Sequence, residues 1–266
     1  MKGLVPPSAR SWLLTKRRWL RQRPPIGLVR WGSFKRTSPI SRYWGFDRGT
    51  PVDRYFIDRF LTRHATDIRG HVLEIANNTY TSMLGDGVTK IDILHVDQAD
   101  GEATIVGDLQ SAEHIPSDTF DCVVITQTLH VIPRPPAAIA TLYRIVKPGG
   151  VVLLTSPGIT KVSRYDMDRW GDFWRFTSRS LRMMFEEHYA PEDLTLEVFG
   201  NVSSATAFLY GLAAEELDGA MLEERDPDFE VLLGMRAVKR QAERKPFKRR
   251  RKPAAADARG HTRGSA

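Results

Sequence analysis

Cysteine is almost absent from this chain: among 266 residues only Cys122 is one. A disulfide within the chain is therefore impossible and a cysteine-built zinc cluster is excluded. That fits a reducing, cytoplasmic setting, and no metal site is expected. Long apolar runs are missing too. No stretch approaches the roughly 20 residues of a membrane span, and no short apolar core with a small-residue cleavage site marks a secretion signal. No repeat with a period of about 20 to 50 residues is visible, which argues against solenoids and propellers.

Acid is scarce at both ends. Residues 1–42 hold eleven Lys and Arg and no Asp or Glu, and residues 239–266 hold eleven basic against two acidic residues. The net charge of +7 thus hides a middle segment with 17 basic and 30 acidic residues. The expected organisation is a basic N-terminal extension (1–42), a folded acidic domain (43–238) and a basic tail (239–266) too poor in apolar residues to offset the entropy of ordering. Such ends attract any polyanion by releasing its counterions, so they say little about a substrate, nucleic acid included. SWLLTKRRWLRQR, residues 11–23, reads as a short basic amphipathic helix suited to the surface of a membrane.

Within the middle segment, short β-branched runs alternate with longer amphipathic stretches, the rhythm of a parallel sheet crossed by helices. Strands are expected at 71–76, 93–96, 103–109, 120–126 and 150–157. A helix over 135–146 opens on prolines suited to a first turn and ends before Lys147-Pro148-Gly149-Gly150. Further on, SLRMMFEEHY (180–189) reads as a helix, while LTLEVFGN and FEVLLGMRAV read as strands of an antiparallel edge. The fold class is a doubly wound α/β sheet, mostly parallel with an antiparallel C-terminal edge. Between Asp97 and Asp108 there is no room for a full helical crossover, so that connection should be a loop.

Ligands of such a sheet bind beyond the carboxyl ends of its strands. There the sequence places Glu74, then Asp97 with Asp92 as its competitor, then Asp108 and Leu109, then Thr126. An acid at these positions can accept hydrogen bonds from ribose hydroxyls or an adenine amino group, with Leu109 covering the ring. Taken singly, each acid reads first as an ordinary strand-end carboxylate.

Together with FDCVVITQTLHVI and LYRIVKPGGVVLLTSPG, this series resembles the class I S-adenosylmethionine-dependent methyltransferases over residues 71–157. WGFDRGTPVDRYFI, VLEIANNTYTS and SRYDMDRWGDFWRFT look more closely like a type 11-like bacterial subset often linked to polysaccharide or natural-product assembly. The resemblance implies S-adenosylmethionine held by Glu74, Ala76, Asn78, Asp97, Asp108, Leu109 and Thr126, a lid over it at Gly49–Tyr55, and an acceptor pocket lined by residues 164–177. One departure stands out. Where the family carries a G-x-G-x-G loop, this chain has Ala76, Asn78 and Tyr80, and the turn is expected to rest on the tolerance of Asn77 and Asn78 for left-handed backbone.

Methyl transfer is an in-line displacement that needs alignment first and a base only where the nucleophile must lose a proton. His130, just beyond the fourth strand, is the first candidate base, with Asp166 and Asp168 behind it. Against this stands a histidine that merely packs. Tyr165, Trp170, Trp174 and Arg175 could stack on a ring or sugar and fork hydrogen bonds to it, along with Arg164 and Arg169. Their bland reading is a loop capping the sheet. TQTL stands where base-amino methylases carry an Asp or Asn before Pro-Pro, and Cys122 reads as core. The expected activity is methylation of a hydroxyl or amine on a small molecule or glycan precursor. The alternatives are a cofactor-poor binding or scaffold module, and a nucleic-acid methylase recruited by its basic tails. A nicotinamide enzyme is disfavoured, because no G-x-G-x-x-G follows the first strand.

Overall fold

The computed structural model describes residues 16, 24, 27–97 and 102–241. Seven strands form one sheet: β1 (Gly70–Ile75), β2 (Val88–His95), β3 (Ile105–Val106), β4 (Phe120–Thr126), β5 (Val146–Pro157), β6 (Leu194–Phe199) and β7 (Leu232–Val238). Their order is β3-β2-β1-β4-β5-β7-β6. The first five pair in parallel, while β7 runs antiparallel to both β5 and β6. The doubly wound sheet with an antiparallel C-terminal edge is thus the observed architecture.

Alternation along the central strands builds two cores, because successive side chains of a strand point to opposite faces. Leu73, Val123, Ile125, Val152 and Leu154 join one core, against the helices α3 (Pro135–Ile145) and α5 (Ser178–Glu186). Val72, Cys122, Val124, Val151 and Leu153 join the other, against α1 (Val52–Arg63) and α6 (Val202–Tyr210). Burial pushes the Cys122 thiol up from its usual range, so this residue is core and no nucleophile.

The remaining helices are short: α2 (Thr79–Leu84) after β1, α4 (Arg164–Met167) after β5, and α7 (Gly219–Glu223) before β7. Several strands differ in length from their sequence patterns; β2 begins five residues before the expected 93. The Lys147-Pro148-Gly149-Gly150 run enters β5 as a bulge, the partner register jumping from Phe120↔Val146 to Cys122↔Val151. Gly149 takes φ +88°, which a side chain would resist. β3 shrinks to two residues, and no helix lies among the described residues between β2 and β3, as the short connection requires.

Ordered contacts reach beyond the expected 43–238 domain on both sides. Ile40 and Ser41 donate their N–H groups to the Tyr210 carbonyl at 2.8 and 3.1 Å, and the Tyr210 hydroxyl donates to the Phe34 carbonyl at 2.6 Å. Lys239 Nζ donates to the Val146 and Tyr143 carbonyls at 2.8 and 2.9 Å, where it closes the bulge of β5. The N-terminal contacts hold residues 40–41 against the end of α6, and further on Pro51 bridges Ala213. Apart from Lys16, the proposed amphipathic helix at 11–23 lies outside the described residues, as does the tail beyond Gln241. No helix among the described residues is long and apolar enough to cross a membrane.

Candidate active site

Three acids emerge at the carboxyl edge of three adjacent strands. Glu74 is the penultimate residue of β1 and is buried. Its two oxygens accept the N–H groups of Tyr80 at 3.0 Å and Thr81 at 2.7 Å, so it holds the amino end of α2. Burial raises its pKa, and the hydrogen bonds from Thr81 and Tyr80 oppose that shift. Asp97 follows β2 by two residues with its side chain 52% exposed, beside His95 Nδ1 at 3.2 Å. Its competitor Asp92 lies inside β2 and is consumed by His71, Lys90 and Thr104 at 2.6, 2.8 and 2.9 Å. Asp108 follows β3 and accepts the Gln110 N–H at 2.8 Å, while its neighbour Leu109 is buried.

The turn between β1 and α2 corrects one expectation. Asn78 has φ −112° and Asn77 is not left-handed; Ala76 is, at φ +73°. Alanine, with the smallest side chain after glycine, therefore carries the sharp turn, and its N–H donates to the Leu94 carbonyl at 3.0 Å. Asn77 contributes differently, its side chain accepting the Thr79 N–H at 3.0 Å. The arrangement fits S-adenosylmethionine. Only a methyl group stands at the left-handed position of the loop, and the Asp97 carboxylate beside His95 is half exposed beyond the end of β2.

A second set of residues surrounds a cleft of about 300 Å³ beside this edge. Its wall includes Asp53 and Arg54 from α1, Gln127 and His130 after β4, Lys161, Tyr165, Asp166, Asp172 and Arg175 from the segment after β5, and Trp44. A larger hollow, about 900 Å³, lies at the opposite end of the strands around Arg69, Asp86 and Asp121 and holds none of the site residues.

His130 is 8% exposed, its Nδ1 is buried with no hydrogen-bond partner, and burial pushes its pKa down to about 4, with Asp172 and Asp166 pulling the other way. It is therefore neutral at pH 7. Gln127 is strained: φ is +45° although it is not glycine. Its amide nitrogen donates to Asp53 Oδ2 at 3.2 Å, and its Oε1 is buried without a partner. Burial raises the Asp53 pKa, an effect that Arg54 and Gln127 counter.

The segment after β5 separates its expected ligands into two groups. Tyr165, Asp166 and Arg175 line the cleft; Trp170 and Trp174 do not. Trp170 lies edge-on to His95, 6.3 Å between ring centroids, and Trp174 donates from Nε1 to the Ile132 carbonyl at 3.0 Å. Arg175 forks onto Asp172 at 2.6 and 2.8 Å and also reaches the Lys161 carbonyl at 2.8 Å. The Asp172 side chain is fully buried, so this pair fixes the loop. Asp168 faces solvent with Arg164 4.0 Å away, and Arg169 covers the Tyr165 ring at 3.6 Å. Thr126 ends β4 opposite Thr155. Asp53, Arg54 and Asp172 fall inside the expected lid at Gly49–Tyr55 and the expected pocket stretch 164–177 without being picked out singly, and Gln127 and Lys161 are not among the expected site residues, because only the fold brings 53–54 next to 127 and 161–172.

No curated protein matches the sequence. Among solved structures, the cyclase SpnF is 18% identical over 73% of this chain and 85% of its own, with a TM-score of 0.46. A SAM-dependent methyltransferase from Archaeoglobus fulgidus is 13% identical over 70% of this chain and 94% of its own, TM-score 0.46. Phosphoethanolamine N-methyltransferase 2 of Haemonchus contortus, in complex with S-adenosyl-L-methionine, is 15% identical over 70% of this chain and 53% of its own, TM-score 0.47. The family model described as a methyltransferase domain matches residues 36–194, which takes in β1 to β5, the turn at Ala76 and the whole wall of the cleft apart from Phe208. The chain belongs to this methyltransferase-domain family and is a class I S-adenosylmethionine-dependent methyltransferase.

Proposed function

We propose that the chain methylates a hydroxyl or amine of a small molecule or glycan precursor, seated in the cleft between α1, the end of β4 and the segment 160–175. The observation that carries this reading is His130: a buried, neutral imidazole without a hydrogen bond to its Nδ1, on the wall of a cleft of about 300 Å³. When bound, S-adenosylmethionine supplies an electrophilic methyl group on a sulfonium. Asp97 and Asp108 would hold its ribose and adenine, with Leu109 against the ring, while Glu74, Ala76 and Asn78 shape the loop beneath it and Thr126 ends the neighbouring strand.

Arg54 adds a cation where one is needed. The N–H groups of Tyr80 and Thr81 at the start of α2 are already taken by Glu74, so they are not free for the cofactor's carboxylate. Of the cations on the cleft wall, Arg175 is paired with Asp172, and Lys161 lies over Trp44. Arg54, in the first turn of α1, is beside Asp53 and the hydroxyl of Tyr80, which stands in the first turn of α2. On the acceptor side, neutral His130 receives the proton of the nucleophile as its lone pair meets the methyl carbon. The charges of Asp172 and Asp166 stabilise the imidazolium that results.

The test has two stages. Calorimetry with S-adenosylmethionine and S-adenosylhomocysteine should show binding that weakens in Asp97→Ala, and absence of binding by folded protein defeats the reading. A methyl-transfer screen of hydroxyl and amine acceptors should then give turnover that His130→Gln lowers by about 10²–10⁴-fold while cofactor affinity stays. The basic segments on which a nucleic-acid-directed reading rests lie largely outside the described residues.

A further inference from the structure

We propose that the wall of the cleft formed by Lys161 and Trp44 is a subsite for an anionic group of the methyl acceptor, a phosphate or a carboxylate. The inference rests on the assignment of this cleft to the acceptor. Lys161 follows β5 and lines the cleft, its ammonium 3.1 Å from the centre of the Trp44 ring. Its main chain is fixed, because the Lys161 carbonyl accepts from Arg175 Nη2 at 2.8 Å and Arg175 is itself forked onto the buried Asp172.

Two features point to a ligand. Lys161 and Arg42 have no carboxylate partner among the described residues, whereas the neighbouring Arg175 has one. Burial, and after it the charge of Arg42, lower the Lys161 pKa, and no acid offsets them. Two cations held close without a counter-ion carry a cost that an arriving anion removes. Trp44, moreover, has φ +56°. A bulky residue in left-handed backbone is strained, and such strain persists where the surrounding structure over-determines it, commonly at ligand sites. The ring so placed offers its face to the ammonium and holds it on the wall of the cleft.

The cleft then offers two kinds of group: His130 and Asp166, which handle the nucleophile's proton, and Lys161, which binds negative charge. An acceptor that matches both carries a phosphate or carboxylate at one end and a hydroxyl or amine at the other. Phosphate and carboxylate share the chemistry that Lys161 reads and are separated by the probes below.

The experiment uses the full chain saturated with S-adenosylhomocysteine, titrated calorimetrically with phenyl phosphate, benzoate and neutral benzyl alcohol. The protein should prefer one or both anions over benzyl alcohol by about tenfold, the size of one charge-assisted hydrogen bond, and the preference should shrink with added salt. Which anion gains more identifies the group. Lys161→Gln should abolish the preference, Lys161→Arg should keep most of it, and the affinity for S-adenosylhomocysteine should be the same in all three proteins. Equal binding of anionic and neutral probes, binding of none of them, or a preference that survives in Lys161→Gln overturns the proposal. Failure of the wild-type chain to bind S-adenosylhomocysteine would instead count against the cofactor assignment, so the two failures are distinguishable.

Discussion

Glu74 Oε2 accepts the Thr81 N–H at 2.7 Å across the loop that should cradle the cofactor. A second bond, from the Tyr80 N–H to Oε1 at 3.0 Å, makes the carboxylate a clasp between the end of β1 and the first turn of α2. The same residue that marks the family pattern therefore also holds the loop in shape. Glu74→Ala leaves two buried donors unmet and should cost about 2–3 kcal/mol in unfolding free energy. Glu74→Gln, which keeps one acceptor oxygen, should cost about half as much. Equal stability of the alanine variant and the wild type in urea denaturation would show that the clasp does not form.

Ala76 at φ +73° stands where glycine would be at ease. A left-handed alanine costs roughly 1–2 kcal/mol, and glycine returns part of that gain through the greater freedom of its unfolded chain. Ala76→Gly should therefore raise stability by about 0.5–1 kcal/mol. It also removes the methyl group from the left-handed position of the cofactor loop, so affinity for S-adenosylhomocysteine should rise or stay equal. A destabilised Ala76→Gly variant would mean that the turn has another conformation.

The strand pattern was legible because each central strand alternates or runs apolar between polar ends, and the KPGG sequence marks its turn by composition alone. Strand-end acids could be located by the same logic, since Glu74, Asp97 and Asp108 follow apolar runs directly. The Ala76 turn was not, because Asn is the commoner left-handed residue, yet Asn78 is needed as the residue before α2 and the bend falls two positions earlier. The cleft was half legible. Tyr165, Asp166 and Arg175 sit in one conspicuous stretch, but Asp53, Gln127 and Lys161 meet only through long-range packing. Trp170 and Trp174, the most conspicuous residues of that stretch, instead pack against His95 and Ile132.

If Arg54 meets the carboxylate of the cofactor, its removal should weaken only ligands that carry one. Arg54→Gln should lower affinity for S-adenosylhomocysteine by about tenfold or more, as expected for loss of a charge-assisted pair. Affinity for methylthioadenosine, which lacks the amino-acid end, should not change. Equal losses for both ligands would assign Arg54 to the shape of the loop instead.

Asp172 and Arg175 form a fork whose acid is fully buried, so removing either partner strands a charge or its hydrogen-bonding groups. Asp172→Ala should destabilise the protein by about 3 kcal/mol. Arg175→Lys should lose stability as well, because an ammonium cannot make the two parallel bonds of a guanidinium. Thermal unfolding of the two variants decides this, and full stability in Arg175→Lys would refute the forked geometry.

His130 gives the pH dependence its sign. Its folded pKa is about 4, below the ordinary value of 6.5. A proton therefore binds the unfolded chain more readily than the folded one. The contribution of neutral His130 to stability is complete above about pH 6.5, declines as the pH falls toward 4, and changes no further below that. The full change is on the order of 3 kcal/mol, from roughly 1.4 kcal/mol per pKa unit. His130→Asn should flatten this part of the pH–stability curve, and the histidine ring resonances followed by NMR should titrate near pH 4 in the wild-type protein. A midpoint near 6.5 would place the ring in water, and the cleft would then lack the dry, neutral imidazole on which the proposed proton transfer depends.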